Sequence, residues 1–260
     1  KSVLVIGGGP GGMYAAITAR KRGYEVDLYE KEERLGGTLW AAGMPTFKHD
    51  VLKLITYLER QCLKTGVNVY LNTEFTLKDA KKDYDKVILS AGSSPMMPPI
   101  PGIEKAGFVS EFLTDRKEAG KQIVIIGGGL AGCEAACYLK ENAETVTIIE
   151  MQEDILFGCD HCLNNDQALR QMLQDNNINK ITKATVTKIE DNRVTYLQDN
   201  QEYTIVCDTI INAAGFKPND QLEDALEEIY DDVTVIGDAK APRKILTAIH
   251  EGYHAIRVME

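Results

Sequence analysis

One glycine-rich pattern, which occurs twice in the same register, constrains this chain of 260 residues more than any other feature. The first copy runs from Val3 to Glu30 and the second from Ile123 to Glu150, a constant offset of 120 residues. Each copy opens with aliphatic residues, continues as G-x-G-x-x-G with small residues behind it, and closes with a hydrophobic run that ends in glutamate. This order predicts a buried strand, a tight turn, a helix and a second strand.

The glycines of this pattern suit a turn that binds a pyrophosphate. The first glycine permits the sharp turn, the second lets the backbone approach the pyrophosphate, and the third lets the helix pack closely on the strand. The pyrophosphate lies on the N–H groups at the positive end of the helix dipole. The glutamate accepts hydrogen bonds from a ribose hydroxyl. Each copy therefore predicts a dinucleotide-binding unit.

The repeat extends beyond the glycine loops. Strands predicted over residues 84–92 and 207–215 both end in Ala-Gly, and a proline follows three residues later, at Pro95 and Pro218. Residues 183–190, 193–197 and 201–206 form alternating runs separated by Asp-Asn turn signals, which predicts an antiparallel meander. A strand over 233–238 and a helix from about Ile245 then complete the first unit.

These features predict an α/β fold with two Rossmann-like dinucleotide-binding domains, the second inserted in the first. Each domain carries a small antiparallel β-meander or its equivalent. The predicted boundaries are residues 1–103 plus 216–260 for the first, discontinuous domain and residues 104–215 for the second. The prolines between residues 95 and 101 make a stiff crossover between the two.

Composition narrows the partners and the compartment. The net charge of −10 argues against a general nucleic-acid or acidic-membrane surface. No run of about 18 apolar residues is present, so no membrane span is expected. The six scattered cysteines suit a reducing cytoplasm. The chain starts with Lys1 directly before a core strand, and both trimming of a leader residue and excision from a longer polypeptide explain that start.

The two units, the A-G-x-x-P junctions and the late Val-Ile-Gly-Asp together resemble flavoprotein reductases with two dinucleotide-binding domains. More narrowly, residues 35–37, 215–220 and 249–255 look like the C-terminal half of multi-cofactor old yellow enzyme relatives. These include 2,4-dienoyl-CoA reductase, enoate reductase, NADH:flavin oxidoreductases and trimethylamine dehydrogenase. In that family an N-terminal TIM barrel carries FMN and a 4Fe-4S cluster. The chain has no room for a barrel, so the resemblance favours an excised module.

The resemblance implies that the first domain, 1–103 plus 216–260, binds FAD and that the second, 104–215, binds NADH. The residues it implies for FAD are Gly7, Gly9, Pro10, Gly11, Gly12, Glu30, Lys31, Gly36, Gly37, Thr38, Ala91, Gly92, Gly237, Asp238, Ile245 and Leu246. Those it implies for NADH are Gly127, Gly128, Gly129, Leu130, Ala131, Gly132, Glu150, Ala214 and Gly215. Glu134 matches a glutamate near the nicotinamide, although an exposed helix acid explains it equally well. Relatives like trimethylamine dehydrogenase hold ADP where FAD would sit, so ADP stays open as the ligand.

The cysteines carry no predicted chemistry. Cys159 and Cys162 form a C-x-x-C motif, but it follows Glu150, away from the expected position of the flavin. Cys133 and Cys137 share one helix face, which favours packing. No metal site is expected, because Cys159, Cys162 and His161 lack further ligands.

The leading functional hypothesis is an NADH:FAD oxidoreductase module that passes hydride to FAD N5 and electrons onward to an Fe-S/FMN centre of a missing barrel. Two alternatives stay open: a stand-alone reductase of an electron-carrier protein, and a non-catalytic domain that holds ADP. NADH is favoured over NADPH, since no arginine follows Glu150 over residues 151–154 to answer a 2′-phosphate.

Overall fold

The computed structural model describes residues 1–80, 83–159 and 163–259. The chain divides into two compact units. Unit 1 comprises residues 1–43, 48–94 and 216–260, and unit 2 comprises residues 44–47 and 95–215. Segments 44–47 and 95–103 group with unit 2, although both lie within the span that the sequence assigns to the first domain.

The strands and helices of both units follow in chain order. The strands are β1 Ser2–Ile6, β2 Glu25–Tyr29, β3 Asn68–Tyr70, β4 Lys86–Leu89, β5 Ser93–Pro95, β6 Gly107–Phe108, β7 Gln122–Ile126, β8 Thr145–Ile149, β9 Asn179–Ile181, β10 Ala184–Glu190, β11 Arg193–Gln198, β12 Gln201–Val206, β13 Thr209–Asn212, β14 Phe216–Pro218 and β15 Val233–Val235. The helices are α1 Pro10–Lys21, α2 Leu39–Ala42, α3 Asp50–Thr65, α4 Val109–Leu113, α5 Leu130–Leu139, α6 Leu163–Asp175, α7 Glu223–Glu227 and α8 Ile245–Arg257.

Unit 1 is built on a five-stranded parallel sheet in the order β15-β4-β1-β2-β3. Side chains alternate across a strand, so β1 contributes Val3 and Val5 to one hydrophobic cluster and Leu4 and Ile6 to another. Both faces of β1 are thereby buried, as expected for a central parallel strand. Helices α1, α3 and α8 supply much of the cluster around Val3.

Helices α1 and α8 approach closely because glycine faces glycine between them. A Cβ atom at Gly252 would lie 2.3 Å from the backbone oxygen of Gly11. Gly11 in turn has Ala248 opposite it, with 2.9 Å between a Cβ at Gly11 and the Ala248 oxygen. Only a residue without a side chain fits at position 252, and this packing fixes α8 beside the start of α1.

Unit 2 repeats the parallel sheet, in the order β6-β13-β7-β8-β9. The antiparallel meander β10-β11-β12 packs against it, since Val186 and Val194 of the meander share a cluster with Val124 and Ile126 of β7. The rings of Tyr196 and Tyr203 stack across β11 and β12, with 5.5 Å between their centroids.

The α/β fold class with two Rossmann-like sheets and antiparallel strands is confirmed. The meander and a helix starting at Ile245 also form as the sequence predicts. Helix α3 ends at Gly66, whose φ of +80° lies in the left-handed region that favours glycine. Strands β5 and β14 form a separate two-stranded sheet.

Candidate nucleotide-binding loops

The first and third glycines of the unit 1 loop are required by the protein itself. Gly7 follows β1 at φ +103°, and a Cβ there would lie 2.3 Å from the oxygen of Ser90. A Cβ at Gly12 would lie 2.0 Å from the oxygen of Gly7. These distances are far below any real contact, so both positions hold the turn and the helix tightly against the strands.

The second glycine is different, because nothing in the described protein excludes a side chain there. Gly9 has φ −71° and ψ −177°, which any residue can adopt. A Cβ at Gly9 would meet no described atom within 4 Å outside its chain neighbours. Pro10 begins α1, and no side chain caps that end of the helix. A bare backbone in open space before a helix N-terminus fits a bound pyrophosphate.

Glu30, at the end of β2, is bound to this loop. Its carboxylate accepts the N–H of Gly8 at 2.8 Å on Oε2 and the N–H of Glu32 at 2.9 Å on Oε1. The residue is only 7% exposed. Each carboxylate oxygen offers a further lone pair, so the orientation is fixed while capacity remains for a ribose hydroxyl.

Unit 2 repeats this arrangement of glycines. Gly127 lies at φ +109°, and a Cβ there would approach the oxygen of Ala213 to 2.4 Å. A Cβ at Gly132 would lie 2.1 Å from the oxygen of Gly127, whereas one at Gly129 meets no atom of the described ranges within 4 Å. Leu130 and Ala131 then form the first turn of α5.

Glu150 takes the part of Glu30 in unit 2. Its Oε2 accepts the N–H of Gly128 at 2.6 Å and its Oε1 accepts the N–H of Gln152 at 2.8 Å. The side chain is half-buried. The common register of both copies therefore extends from sequence to side-chain hydrogen bonds.

The Gly36–Gly37 segment lies directly against the unit 1 loop. The N–H of Gly36, at φ +117°, donates to the oxygen of Gly8 at 2.9 Å. A Cβ at Gly37 would be 3.5 Å from the Cα of Gly9. Trp40 donates its Nε1–H to the oxygen of Leu35 at 2.8 Å, which pins the far side of the segment. Thr38 precedes α2, and Lys31 is exposed.

The Ala-Gly pairs lie just beyond the strands, because β4 ends at Leu89 and β13 at Asn212, earlier than the predicted ends at residues 92 and 215. In unit 1, Asn219 bonds both residues: its side-chain amide donates to the Ala91 oxygen at 3.1 Å and its backbone N–H donates to the Gly92 oxygen at 3.0 Å. In unit 2, the Ala214 N–H donates to the side chain of Asn212 at 3.0 Å, and Gly215 follows at φ +113°. Asn219 and Asn212 were not singled out as site residues by sequence reasoning.

A clasp around Glu251 joins Asp238 to the start of α8. The Glu251 carboxylate accepts the Gly237 N–H at 2.7 Å and pairs with Arg243 Nη2 at 2.7 Å. The backbone N–H of Arg243 donates to Asp238 Oδ1 at 3.1 Å. Ile245 and the exposed Leu246 follow at the N-terminus of the helix. Sequence reasoning missed Glu251, whose only signal was its place in the Ile-His-Glu-Gly stretch.

Glu134 and the cysteines differ in how deeply they are buried. Glu134 is half-buried on this helix. Burial raises the pKa of the Cys133 thiol to about 12 and that of Cys137 to about 11, which keeps both protonated. Cys159 is half-buried, and residues 160–162, including Cys162 of the C-x-x-C motif, lie outside the described residues.

Metal and membrane features were searched in the same residues. Across 1–80, 83–159 and 163–259, no group of three histidine, cysteine or acidic side chains is placed to hold a metal ion. No described helix has the length and apolar character needed to cross a bilayer.

Several known proteins are similar to this chain in sequence and in fold. The chain is 34% identical over 259 residues to the cinnamate reductase of Clostridium sporogenes, and 99% of the chain and 39% of that protein are covered. It is 37% identical over 264 residues to the NADH oxidase of Thermoanaerobacter brockii, covering 97% of the chain and 40% of the relative. The chain thus spans about two fifths of the length of these relatives.

A solved 2-naphthoyl-CoA reductase complex superposes with a TM-score of 0.91 at 30% identity, covering 98% of this chain and 39% of the other. These similarities confirm the predicted resemblance to the multi-cofactor reductases and the class of FAD-dependent oxidoreductases. The profile of one family, described as pyridine nucleotide-disulphide oxidoreductase, matches residues 1–248. The chain therefore belongs to the pyridine nucleotide-disulphide oxidoreductase family.

Proposed function

We propose that the chain is the NADH-dependent, FAD-binding reductase module of a longer enoate- or dienoyl-CoA-type reductase. It passes hydride from NADH to FAD, and the electrons continue to an Fe-S/FMN centre in an N-terminal TIM barrel. The observation that carries the proposal is the pair of open glycines, Gly9 and Gly129. The protein itself gives no packing reason for glycine at either position, whereas a closely approaching pyrophosphate does.

We assign FAD to the first domain, 1–103 plus 216–260, and NADH to the second, 104–215. Glu30 and Glu150 orient the adenosine riboses, because backbone N–H groups fix both carboxylates. The Glu251 clasp sets Asp238 beside the N-terminus of α8, where the helix dipole favours negative charge. These residues need only bind and orient, since nicotinamide and flavin, when bound, supply the hydride donor and acceptor themselves.

The nucleotide preference follows from Glu150. A carboxylate at the end of β8 suits a ribose 2′-hydroxyl and repels a 2′-phosphate. Residues 151–154 add two acids and no arginine. We assign Glu134 to the nicotinamide side of the same unit, and we place the module in the cytoplasm, because the cysteines that the structure describes are free thiols.

A visible spectrum tests the proposal. We expect flavin absorbance that bleaches on anaerobic addition of NADH, and FAD as the released cofactor by mass analysis. Release of FMN alone would contradict the assignment, and a colourless protein that retains ADP would instead establish the non-catalytic alternative. Reoxidation by a separate electron carrier, without any barrel encoded upstream of the chain, would favour the stand-alone reductase.

A further inference from the structure

The turn that follows each fingerprint glutamate is seated on its glycine loop in the same way in both units. In unit 1 the N–H of Gly36 donates to the Gly8 oxygen at 2.9 Å, and the N–H of Leu39 donates to the Gly36 oxygen at 3.1 Å. In unit 2 the N–H of Leu156 donates to the Gly128 oxygen at 2.7 Å, and the N–H of Cys159 donates to the Leu156 oxygen at 3.1 Å. The offset of 120 residues therefore extends to this turn.

Each turn has two residues with positive φ, Gly36 and Gly37 in unit 1 and Leu156 and Gly158 in unit 2, so the first keeps its register and the second moves by one position. Unit 1 places Gly37 at φ +53°, in the left-handed region where larger residues are disfavoured. The residue in the same register of unit 2 is Phe157, and there the positive angle falls on the next residue, Gly158, at φ +71°. Position 157 is thus free to carry a side chain, which unit 1 does not have at Gly37.

Phe157 follows a segment that is anchored by buried side chains and by hydrogen bonds. The side chains of Ile155 and Leu156 are almost fully buried. Arg170 clasps the segment, since its Nη1 pairs with Asp154 at 2.9 Å and its Nη2 donates to the Ile155 oxygen at 3.0 Å. Phe157 itself is 55% exposed. A large apolar ring is therefore presented to solvent by backbone that cannot easily withdraw it.

The register also indicates which part of the glycine loop lies beside position 157. In unit 1, a Cβ at Gly37 would be 3.5 Å from Gly9, the open second glycine of the loop. The matching residue of unit 2 is Phe157, and the matching glycine is Gly129, which is equally open. Both open glycines lie where a pyrophosphate approaches the backbone.

We propose that Phe157 is a binding residue for the dinucleotide of unit 2, and that its ring packs against the pyrophosphate and the ribose on the nicotinamide side of it. This inference rests on the proposed function, because it takes the Gly127–Gly132 loop to be the nicotinamide nucleotide site. In unit 1 the bare backbone at Gly37 lets the ligand lie directly on the turn. In unit 2 the ring covers the ligand and excludes water from it.

Calorimetric titration of the FAD-loaded chain with NAD⁺, ADP-ribose and AMP tests this inference. We expect Phe157→Ala to weaken NAD⁺ and ADP-ribose about tenfold, or about 1.4 kcal/mol, which is within the range for partial burial of an aromatic ring. AMP, which lacks the pyrophosphate, should change less than twofold. Phe157→Tyr keeps the ring and should restore the affinity.

Tyr203→Ala is the matched control, since Tyr203 is a comparably exposed aromatic residue on the meander. FAD content should be equal in all variants. If the wild-type chain binds no NAD⁺, the proposed function itself fails. If the wild type binds NAD⁺ and Phe157→Ala binds it equally well, only this inference is overturned. An equal loss of AMP affinity would place the ring on the adenosine instead and would also overturn it.

Discussion

The contrast between neighbouring glycines of one loop gives a sharp test of how this chain binds its cofactor. We expect Gly9→Ala to leave the free energy of unfolding of the FAD-free protein within about 1 kcal/mol of the wild type. Gly9 precedes α1, where alanine is a poorer cap than glycine, which costs about 0.5–1 kcal/mol. Alanine also restricts the unfolded chain at a compatible φ of −71°, which returns about 0.4–1 kcal/mol.

Gly12→Ala, in contrast, should strongly lower the free energy of unfolding. Its methyl group would lie 2.0 Å from the Gly7 oxygen and 2.5 Å from Ser90 Oγ. Backbone cannot relax cheaply there, so we expect a loss of about 4 kcal/mol or more, at the severe end for single substitutions. Urea denaturation of the two apo-variants measures this difference directly.

Although Gly9→Ala should hardly change the stability of the protein, it should strongly weaken FAD binding. A methyl group at Gly9 occupies the space that the pyrophosphate needs, so Gly9→Ala should weaken FAD by at least about a hundredfold, or about 2.7 kcal/mol. Titration of the apo-protein with FAD, followed by flavin fluorescence, measures it. Gly129→Ala is the matched control, since it should spare FAD and impair NADH. A Gly9→Ala protein that binds FAD normally, or that unfolds as readily as Gly12→Ala, would refute the reasoning.

Three further outcomes are expected. The kcat/KM for flavin reduction should be at least about a hundredfold higher with NADH than with NADPH, which corresponds to about 2.7 kcal/mol. Glu150→Ala should reduce this preference, mainly because NADPH then binds better. Equal rates with the two nucleotides in the wild type would contradict the assignment of Glu150. Glu251→Ala should lower the free energy of unfolding by about 1.5–3 kcal/mol, because the charged hydrogen bond to the Gly237 N–H is lost, and it should also weaken FAD binding. Glu251→Gln should recover part of both losses. An unchanged FAD affinity in Glu251→Ala would contradict the role of the Glu251 clasp. Iodoacetamide at pH 8 should modify Cys159 before Cys133, whose pKa burial raises to about 12, and peptide mapping that finds the reverse order would disprove this.

Local sequence signals predicted the elements whose structure depends on near neighbours. The strand–turn–helix of each fingerprint and the meander both follow from patterns among residues that lie close together in the sequence. The short edge strands β6 and β9 were not predicted. β9 consists of Asn179, Lys180 and Ile181 and forms as a strand because it pairs with β8, which is a tertiary effect that local propensity does not encode.

The site was predictable to the same extent. The spacing of the glycines predicts which of them turn the chain, so the turns at Gly7 and Gly127 could be predicted from the sequence pattern alone. Glu251 was missed, since its role depends on reaching Gly237, which lies 14 residues earlier in the chain. The turn at Phe157 was missed for a related reason: the sequence aligns it with Gly37, but only backbone angles show that the second positive φ of the turn has moved to Gly158.

The two units share one backbone frame around their glycine loops. Positions that hold the frame are nearly the same in both copies, because a change at Gly7 or Gly127 would drive a side chain into backbone oxygen. Positions that face open space are not restrained in this way, so only the ligand selects the residue there. Glycine is present at both open loop positions, which is what a pyrophosphate in each unit requires. At position 37 and its counterpart 157 the copies diverge to glycine and phenylalanine, because the second positive φ of this turn lies at Gly37 in unit 1 and at Gly158 in unit 2.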